Sequence, residues 1–137
     1  MSPVKLQVKT SNQRYSIIIG SGLTNNLKRV LNDSSITFDK CLIVIDKNVP
    51  KNQIQKIFNS LKDINKTTYY FKANEKNKSQ KYVNEILQVL LKKNFNRNDC
   101  VISVGGGITG DITGFASSIF KRGIRFINIP TTLLSQV

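Results

Sequence analysis

The chain has 137 residues, 39% of them hydrophobic and 21% charged, with 21 Lys+Arg against 8 Asp+Glu, two cysteines and no histidine. That length is expected to give one domain with a real core. No apolar run approaches the ~20 residues of a membrane helix, and the missing histidine removes the commonest metal ligand and general base. The net charge of +13 is scattered from Lys5 to Lys121, which reads as a Lys- and Asn-rich composition and not as a nucleic-acid surface.

The stretch "VKLQVKT" alternates apolar and polar residues at Val4, Leu6 and Val8, the period of a strand. "SNQR" is a turn, and "YSIIIG" is the returning strand of a hairpin. Leu23, Leu27, Val30 and Leu31 mark a helical stripe. "KCLIVID" is a short apolar run rich in β-branched residues, expected as a buried parallel strand that ends on Asp46. Pro50 suits the first turn of a helix whose apolar residues are Ile54, Ile57, Phe58 and Leu61. "TTYYFK" is the next strand and "ANEKNKSQ" a polar loop. A helix over "YVNEILQVLLKKN" carries Val83, Ile86, Leu87 and Leu90 on one face. "CVISVGG" is a third buried strand. "DITGFASSIF" places Ile112, Phe115, Ala116, Ile119 and Phe120 on one helical stripe, "RFINIPTT" is a fourth strand, and "LLSQV" opens a further element. Cys41 and Cys100 each begin an apolar segment and read as reduced core residues. The N-terminal "MSPVKLQVKT" lacks the apolar stretch of a signal peptide, so the cytoplasm is the expected compartment.

Strand and helix alternate after the hairpin, which predicts an α/β fold: a Rossmann-like parallel sheet with helices on both faces, preceded by an N-terminal β-hairpin. Ligands of such sheets sit outside the carboxyl ends of the strands. The informative residues are therefore Asp46 to Asn48, the "ANEKNK" loop, residues 105–111, and Thr131 with Thr132. Four of the eight glycines fall between Gly105 and Gly110. Between a strand and a helix, glycines let backbone N–H groups approach a phosphate, and the helix dipole adds to the attraction. Asp111 is expected in the first turn of that helix, as a cap or as an acceptor from a ligand hydroxyl. The spelling G-G-G-x-x-G-D is neither the G-x-G-x-x-G fingerprint nor a P-loop. A tight turn with no ligand is the alternative reading of the same residues.

Residues 105–137, "GGGITGDITGFASSIFKRGIRFINIPTTLLSQV", resemble the glycine-rich segment of the 3-dehydroquinate synthases. The likeness runs through GGG-hydrophobic-x-GD, GF, RG-hydrophobic-RF and PTTLL-x-QV. Upstream, "VIDKNV" is similar to the family's strand-end Asp with Asn two residues on. "NEKNKS" resembles its G-E-x-x-K-S loop, with Ala73 and Asn74 where the family favours Asp and Gly. The resemblance implies an NAD site. Asp46 and Asn48 would contact the adenosine ribose, Glu75 and Lys78 the nicotinamide end, and Gly106, Gly107 and Ile108 the pyrophosphate, with Thr109 and Gly110 in the same turn. Asp111 would take a ribose hydroxyl, Thr131 and Thr132 would close over the cofactor, and Arg122 would bind the phosphate of a sugar-phosphate substrate across a subunit boundary.

The resemblance further implies a divalent metal, zinc or cobalt, whose ligands lie in a helical C-terminal domain absent from residues 1–137. These residues are thus expected to be the NAD-binding portion of a homodimeric lyase of the shikimate pathway, inactive alone, with neither nucleic acid nor membrane as partner. Other sugar-phosphate cyclases, a glycerol-dehydrogenase-like oxidoreductase and a non-catalytic dinucleotide-binding module stand as alternatives. The pairing of Asp111 with "PTTLLSQV" favours the first reading.

Overall fold

A computed structural model describes residues 4–9, 14–19 and 23–131. The chain opens with the expected hairpin, β1 (Val4–Lys9) against β2 (Arg14–Ile19), antiparallel with Val4 opposite Ile19 and Lys9 opposite Arg14. A single 3-10 turn, Leu23–Asn26, leads into α1 (Leu27–Asp33). Then follow β3 (Lys40–Asp46), α2 (Lys51–Ser60), β4 (Asn65–Phe71), α3 (Gln80–Lys92), β5 (Cys100–Gly105), α4 (Gly107–Ile119) and β6 (Arg125–Pro130).

The last four strands form one parallel sheet in the order β4-β3-β5-β6. From β3 the chain moves out to β4, then crosses back over β3 to β5 and on to β6. The direction of growth therefore reverses between β3 and β5, and the crevice at their carboxyl ends is where such sheets place a ligand.

Both faces of the sheet are covered, which is why β3 and β5 are apolar almost without interruption. On one face Cys41, Ile43, Ile45, Cys100, Ile102 and Val104 pack with Leu27 and Leu31 of α1 and with Ile54, Ile57 and Leu61 at α2. On the other, Leu42, Val44, Phe71 and Val101 pack with Val83, Ile86 and Leu90 of α3 and with Ile112 and Ala116 of α4. At roughly 25 cal/mol per Å² of buried apolar area, these two layers are the main source of stability. Among the described residues no helix is long and apolar enough to cross a membrane.

Three expectations are corrected. Pro50 is the residue before α2 and not a member of its first turn. Helix α4 starts at Gly107, four residues earlier than the stripe suggested, so Asp111 lies beyond the first turn and caps nothing. Phe115 and Ile119 are 48% and 47% exposed, off the buried face they were assigned to. The reason is geometric: α4 turns its small residues Thr109, Thr113, Ala116 and Ser117 to the sheet, together with Ile112. That choice rotates Phe115 and Ile119 outward. Thr132 and the "LLSQV" element lie outside the described residues.

Candidate dinucleotide site

The switch point is built from the ends of β3 and β5. At the carboxyl edge of the sheet Asp46 pairs with Phe71 and Gly105 with Pro130, each one residue past the Ile45–Val104 pair that joins β3 to β5. Thr131 follows directly, its N–H donating to the Gly105 carbonyl at 2.9 Å.

Asp46 is buried, 8% exposed. One carboxylate oxygen accepts the Asn48 N–H at 2.9 Å, and the Asp46 carbonyl accepts the Val49 N–H at 3.0 Å. This is an Asx-turn, which redirects the chain from strand to helix. A carboxylate accepts at two oxygens, so the turn does not use up the acceptor capacity of Asp46. Asn48, by contrast, is exposed and enters the turn through its backbone.

Beside Asp46 the chain passes from Gly105 through Gly106 into α4, with Gly106 as the N-terminal cap residue and the Gly110 N–H on the Gly106 carbonyl at 3.1 Å. The N–H groups at positions 107–109 therefore head the helix without an intrahelical acceptor, as the opening of any α-helix requires. A Cβ placed on Gly107 would meet nothing within 4 Å, so the helix start faces open space. Gly105 differs: a Cβ there would lie 2.9 Å from Asp46 Cβ and 2.9 Å from Thr109 Oγ1. Glycine at 105 is what lets β3 and α4 approach closely enough to share the crevice. The sequence reading placed Gly105 among the informative residues but gave it no contact of its own, since its role is a close approach to Asp46 and Thr109 that only the tertiary packing shows.

Lys78 and Asp111 converge across the mouth of this region, with Nζ 3.2 Å from Oδ2. Lys78 comes from the segment after the 3-10 turn Glu75–Asn77, and Asp111 from α4. Both are exposed, so the pair contributes about 0.2–1 kcal/mol and opens at little cost. Glu75 is exposed on the same turn, and its carbonyl accepts the Lys78 N–H at 3.3 Å.

Behind the turn, α4 holds a buried polar stripe that the sequence reading missed. Thr109, Thr113 and Ser117 recur every four residues and are at most 1% exposed. Ser117 Oγ donates to the Thr113 carbonyl at 2.8 Å, whereas the Thr109 and Thr113 hydroxyls find no hydrogen-bond partner among the described residues. On the sheet beneath, Ser103 Oγ donates to Asn128 Oδ1 at 2.7 Å, and that oxygen lies 3.1 Å from where a Cβ on Gly110 would stand. Gly110 is therefore a packing residue for β6, a role separate from its expected place in the cofactor turn.

Arg122 is not brought to this site. It stands beyond the far end of α4, which at 1.5 Å per residue puts it roughly 20 Å from the glycine turn. Lys121 (φ 45°), Arg122 (φ 66°) and Gly123 (φ 114°) form a left-handed reversal into β6. Two non-glycine residues in that region cost energy. The reversal is fixed by the Gly123 N–H on the Phe120 carbonyl at 2.7 Å and the Ile124 N–H on the Ser117 carbonyl at 3.0 Å.

Comparison with known proteins places this geometry. The family described as 3-dehydroquinate synthase N-terminal matches residues 68–137. The 3-dehydroquinate synthase of Pelagibacter ubique is 57% identical over all 137 residues, which span 37% of that protein. The one from Blochmanniella floridana is 40% identical over 135 residues, covering 96% of this chain and 36% of its own length. Among solved structures, 2-deoxy-scyllo-inosose synthase superimposes with a TM-score of 0.85 at 22% identity, over 96% of this chain and 37% of the other. A 2-epi-5-epi-valiolone synthase from Streptomyces hygroscopicus, with NAD+ and Zn2+ bound, gives 0.76 at 26% identity, over 93% and 35%. The chain thus spans just over a third of the proteins it resembles.

Proposed function

The chain belongs to the 3-dehydroquinate synthase family through its N-terminal domain. From that premise we propose that it forms the NAD-binding wall of an enzyme converting 3-deoxy-arabino-heptulosonate 7-phosphate to 3-dehydroquinate with release of phosphate. The observation that carries the reading is the meeting of Asp46 with the unobstructed start of α4 at the switch point. The names of its relatives favour this activity over those of other sugar-phosphate cyclases.

The residues present fit NAD. The N–H groups of Gly107, Ile108 and Thr109 and the positive end of α4 suit a pyrophosphate, with Gly106 and Gly107 keeping side chains out of its way. Asp46, backed by the Asn48 turn, accepts from the adenosine ribose. Lys78 and Asp111 exchange their ion pair for the cofactor, Asp111 taking a ribose hydroxyl and Lys78 standing with Glu75 at the nicotinamide end. Thr131, held on Gly105, flanks the crevice, and Thr132, expected to act with it, lies outside the described residues. When bound, NAD supplies a reversible hydride acceptor, so that one ring alcohol is transiently oxidised and the neighbouring C–H acidified for phosphate elimination with no net redox. Arg122, remote within one chain, serves the substrate phosphate of a second subunit in a homodimer. The two unpaired cysteines suit a reducing, cytoplasmic compartment.

The family's zinc or cobalt does not fit these residues. There is no histidine, and no three of His, Cys, Asp and Glu gather among the described residues. No step is assigned to it, and its ligands are referred to the C-terminal part that the relatives possess. Calorimetric titration with NAD tests the reading: Asp46→Ala should bind at least about tenfold more weakly than the wild type, the 1.4 kcal/mol of one good hydrogen bond to a charged group. Equal affinity would remove Asp46 from the site. A phosphate-release assay on the 137 residues alone should stay at background, with or without added zinc.

A further inference from the structure

A second row crosses the sheet at its amino edge. The register pairs Cys41 with Lys66 on β4 and with Cys100 on β5, and pairs Cys100 with Arg125 on β6. The order across the sheet is Lys66, Cys41, Cys100, Arg125. Both thiols lie in the core layer beneath α1 and α2, with no exposure, and they are not joined to each other.

Neighbouring strands lie about 4.7–4.9 Å apart. That spacing falls inside the roughly 4.4–6.8 Å between Cα atoms over which a disulfide can close, and the two thiols nonetheless stand free side by side. Two thiols paired on the same face of adjacent strands can also share one ion, since a linear S–metal–S bridge spans about twice a metal–thiolate bond of roughly 2.3 Å. With no third ligand of the His, Cys, Asp or Glu type gathered nearby among the described residues, the pair suits a cation content with two soft ligands, not tetrahedral zinc.

The flanking charges say which cation. Lys66 Nζ donates to the Leu61 carbonyl at 2.7 Å and the Ile64 carbonyl at 3.1 Å, and Arg125 Nη1 donates to the Thr37 carbonyl at 2.9 Å. Burial pushes the Cys41 thiol up to about 11 while Lys66 pulls it down. Burial likewise raises Cys100, reinforced by Cys41 and opposed by Arg125. The thiols therefore stay protonated until something replaces the protons, and the charge that would then appear is an anion between two cations. A cleft of about 510 Å³, bounded by Leu31, Phe38, Asp39 and Asp99 among others, opens at this same edge of the sheet.

We propose that Cys41 and Cys100 form a two-coordinate site for a soft monovalent cation of the copper(I) class, flanked by Lys66 and Arg125. The cation adds to two thiols, two protons leave to solvent, and a bis-thiolate complex of net charge −1 remains. Nothing is oxidised or reduced. The site lies at the opposite edge of the sheet from the glycine turn and does not depend on the NAD reading.

Silver(I), which has the same preference and no redox chemistry, is the probe. Reduced protein held under anaerobic conditions is titrated with silver(I), the ligand set is read by X-ray absorption, and folding is followed by circular dichroism. The expected result is one silver per folded chain with two sulfur ligands. Cys41→Ala and Cys100→Ala should each lose the two-sulfur signature. Arg125→Gln, an exposed position that leaves both thiols in place, should weaken affinity by about tenfold, the lower end of what ligand-supporting residues contribute. The proposal is overturned if the folded wild type retains no silver, shows one sulfur per silver, or binds only as its helical signal is lost. It is equally overturned if either alanine variant binds like the wild type or Arg125→Gln binds unchanged.

Discussion

Helices α3 and α4 have the same length and lie on the same face of the sheet, yet they are built on opposite plans. In α3 the buried residues are Val83, Ile86 and Leu90, while Gln80, Lys81, Asn84, Gln88 and Lys92 face water and the half-buried Glu85 accepts from the Tyr69 hydroxyl. In α4 the buried set includes Thr109, Thr113 and Ser117, while Phe115 and Ile119 face out. An amphipathic helix such as α3 is placed by burial alone. Helix α4 is placed by close approach: a Cβ on Gly114 would come within 3.1 Å of the Phe126 ring, and one on Gly110 within 3.1 Å of Asn128. The contrast teaches that α4 trades core volume for position, bringing its N-terminus over the ends of β3 and β5.

The comparison breaks first at α3. Ile86→Ala removes a side chain with no exposure and should cost about 2–5 kcal/mol in denaturant unfolding. A loss well below that would mean that burial is not what places α3. Next comes the contact that sets α4: Gly105→Ala drives a methyl against Asp46 and Thr109 and should cost about 1–3 kcal/mol by overpacking. A neutral result would mean that the approach of β3 to α4 has slack. Smaller and of opposite sign, Thr113→Val keeps the shape and deletes a buried hydroxyl without a partner among the described residues. It should stabilise by about 1 kcal/mol, the low end of what an unmet buried polar group costs; destabilisation would show that the hydroxyl is satisfied by ordered water. Smallest is Phe115→Gln on the exposed face of α4, expected within about 0.5 kcal/mol of the wild type. A larger shift in the melting curve would reveal a covered surface.

The same contrast explains what was legible beforehand. Strands β3 and β5 were readable because both their faces are buried, and α3 because its apolar residues recur with the helical period. Helix α4 misled the periodicity in two ways. Its apolar residues Phe115 and Ile119 fall near the stripe of Ile112 and Ala116 but outside the narrow contact that Gly110 and Gly114 permit. Its first turn, Gly107 to Gly110, consists of residues with weak helical preference, so the helix was begun at Asp111. The glycine cluster, Asp46 and the ends of the strands were legible as a site because the topology of an α/β sheet fixes where ligands go. The Lys78–Asp111 pair and the distance of Arg122 were not, since both depend on tertiary geometry that one sequence does not spell out.

The central claim is that the start of α4 is left open for a phosphate. Gly107→Asp tests it most directly, because folding and binding should respond in opposite directions. A carboxylate in the first turn favours the helix dipole by about 0.3–1 kcal/mol, and a side chain at 107 meets nothing within 4 Å, so the unfolding midpoint should rise or hold. The same charge would occupy and repel the place of the pyrophosphate, so calorimetric titration with NAD should show binding reduced at least about tenfold, the 1.4 kcal/mol of one lost charged contact. A Gly107→Asp protein that is stable and binds NAD with wild-type affinity would contradict the account.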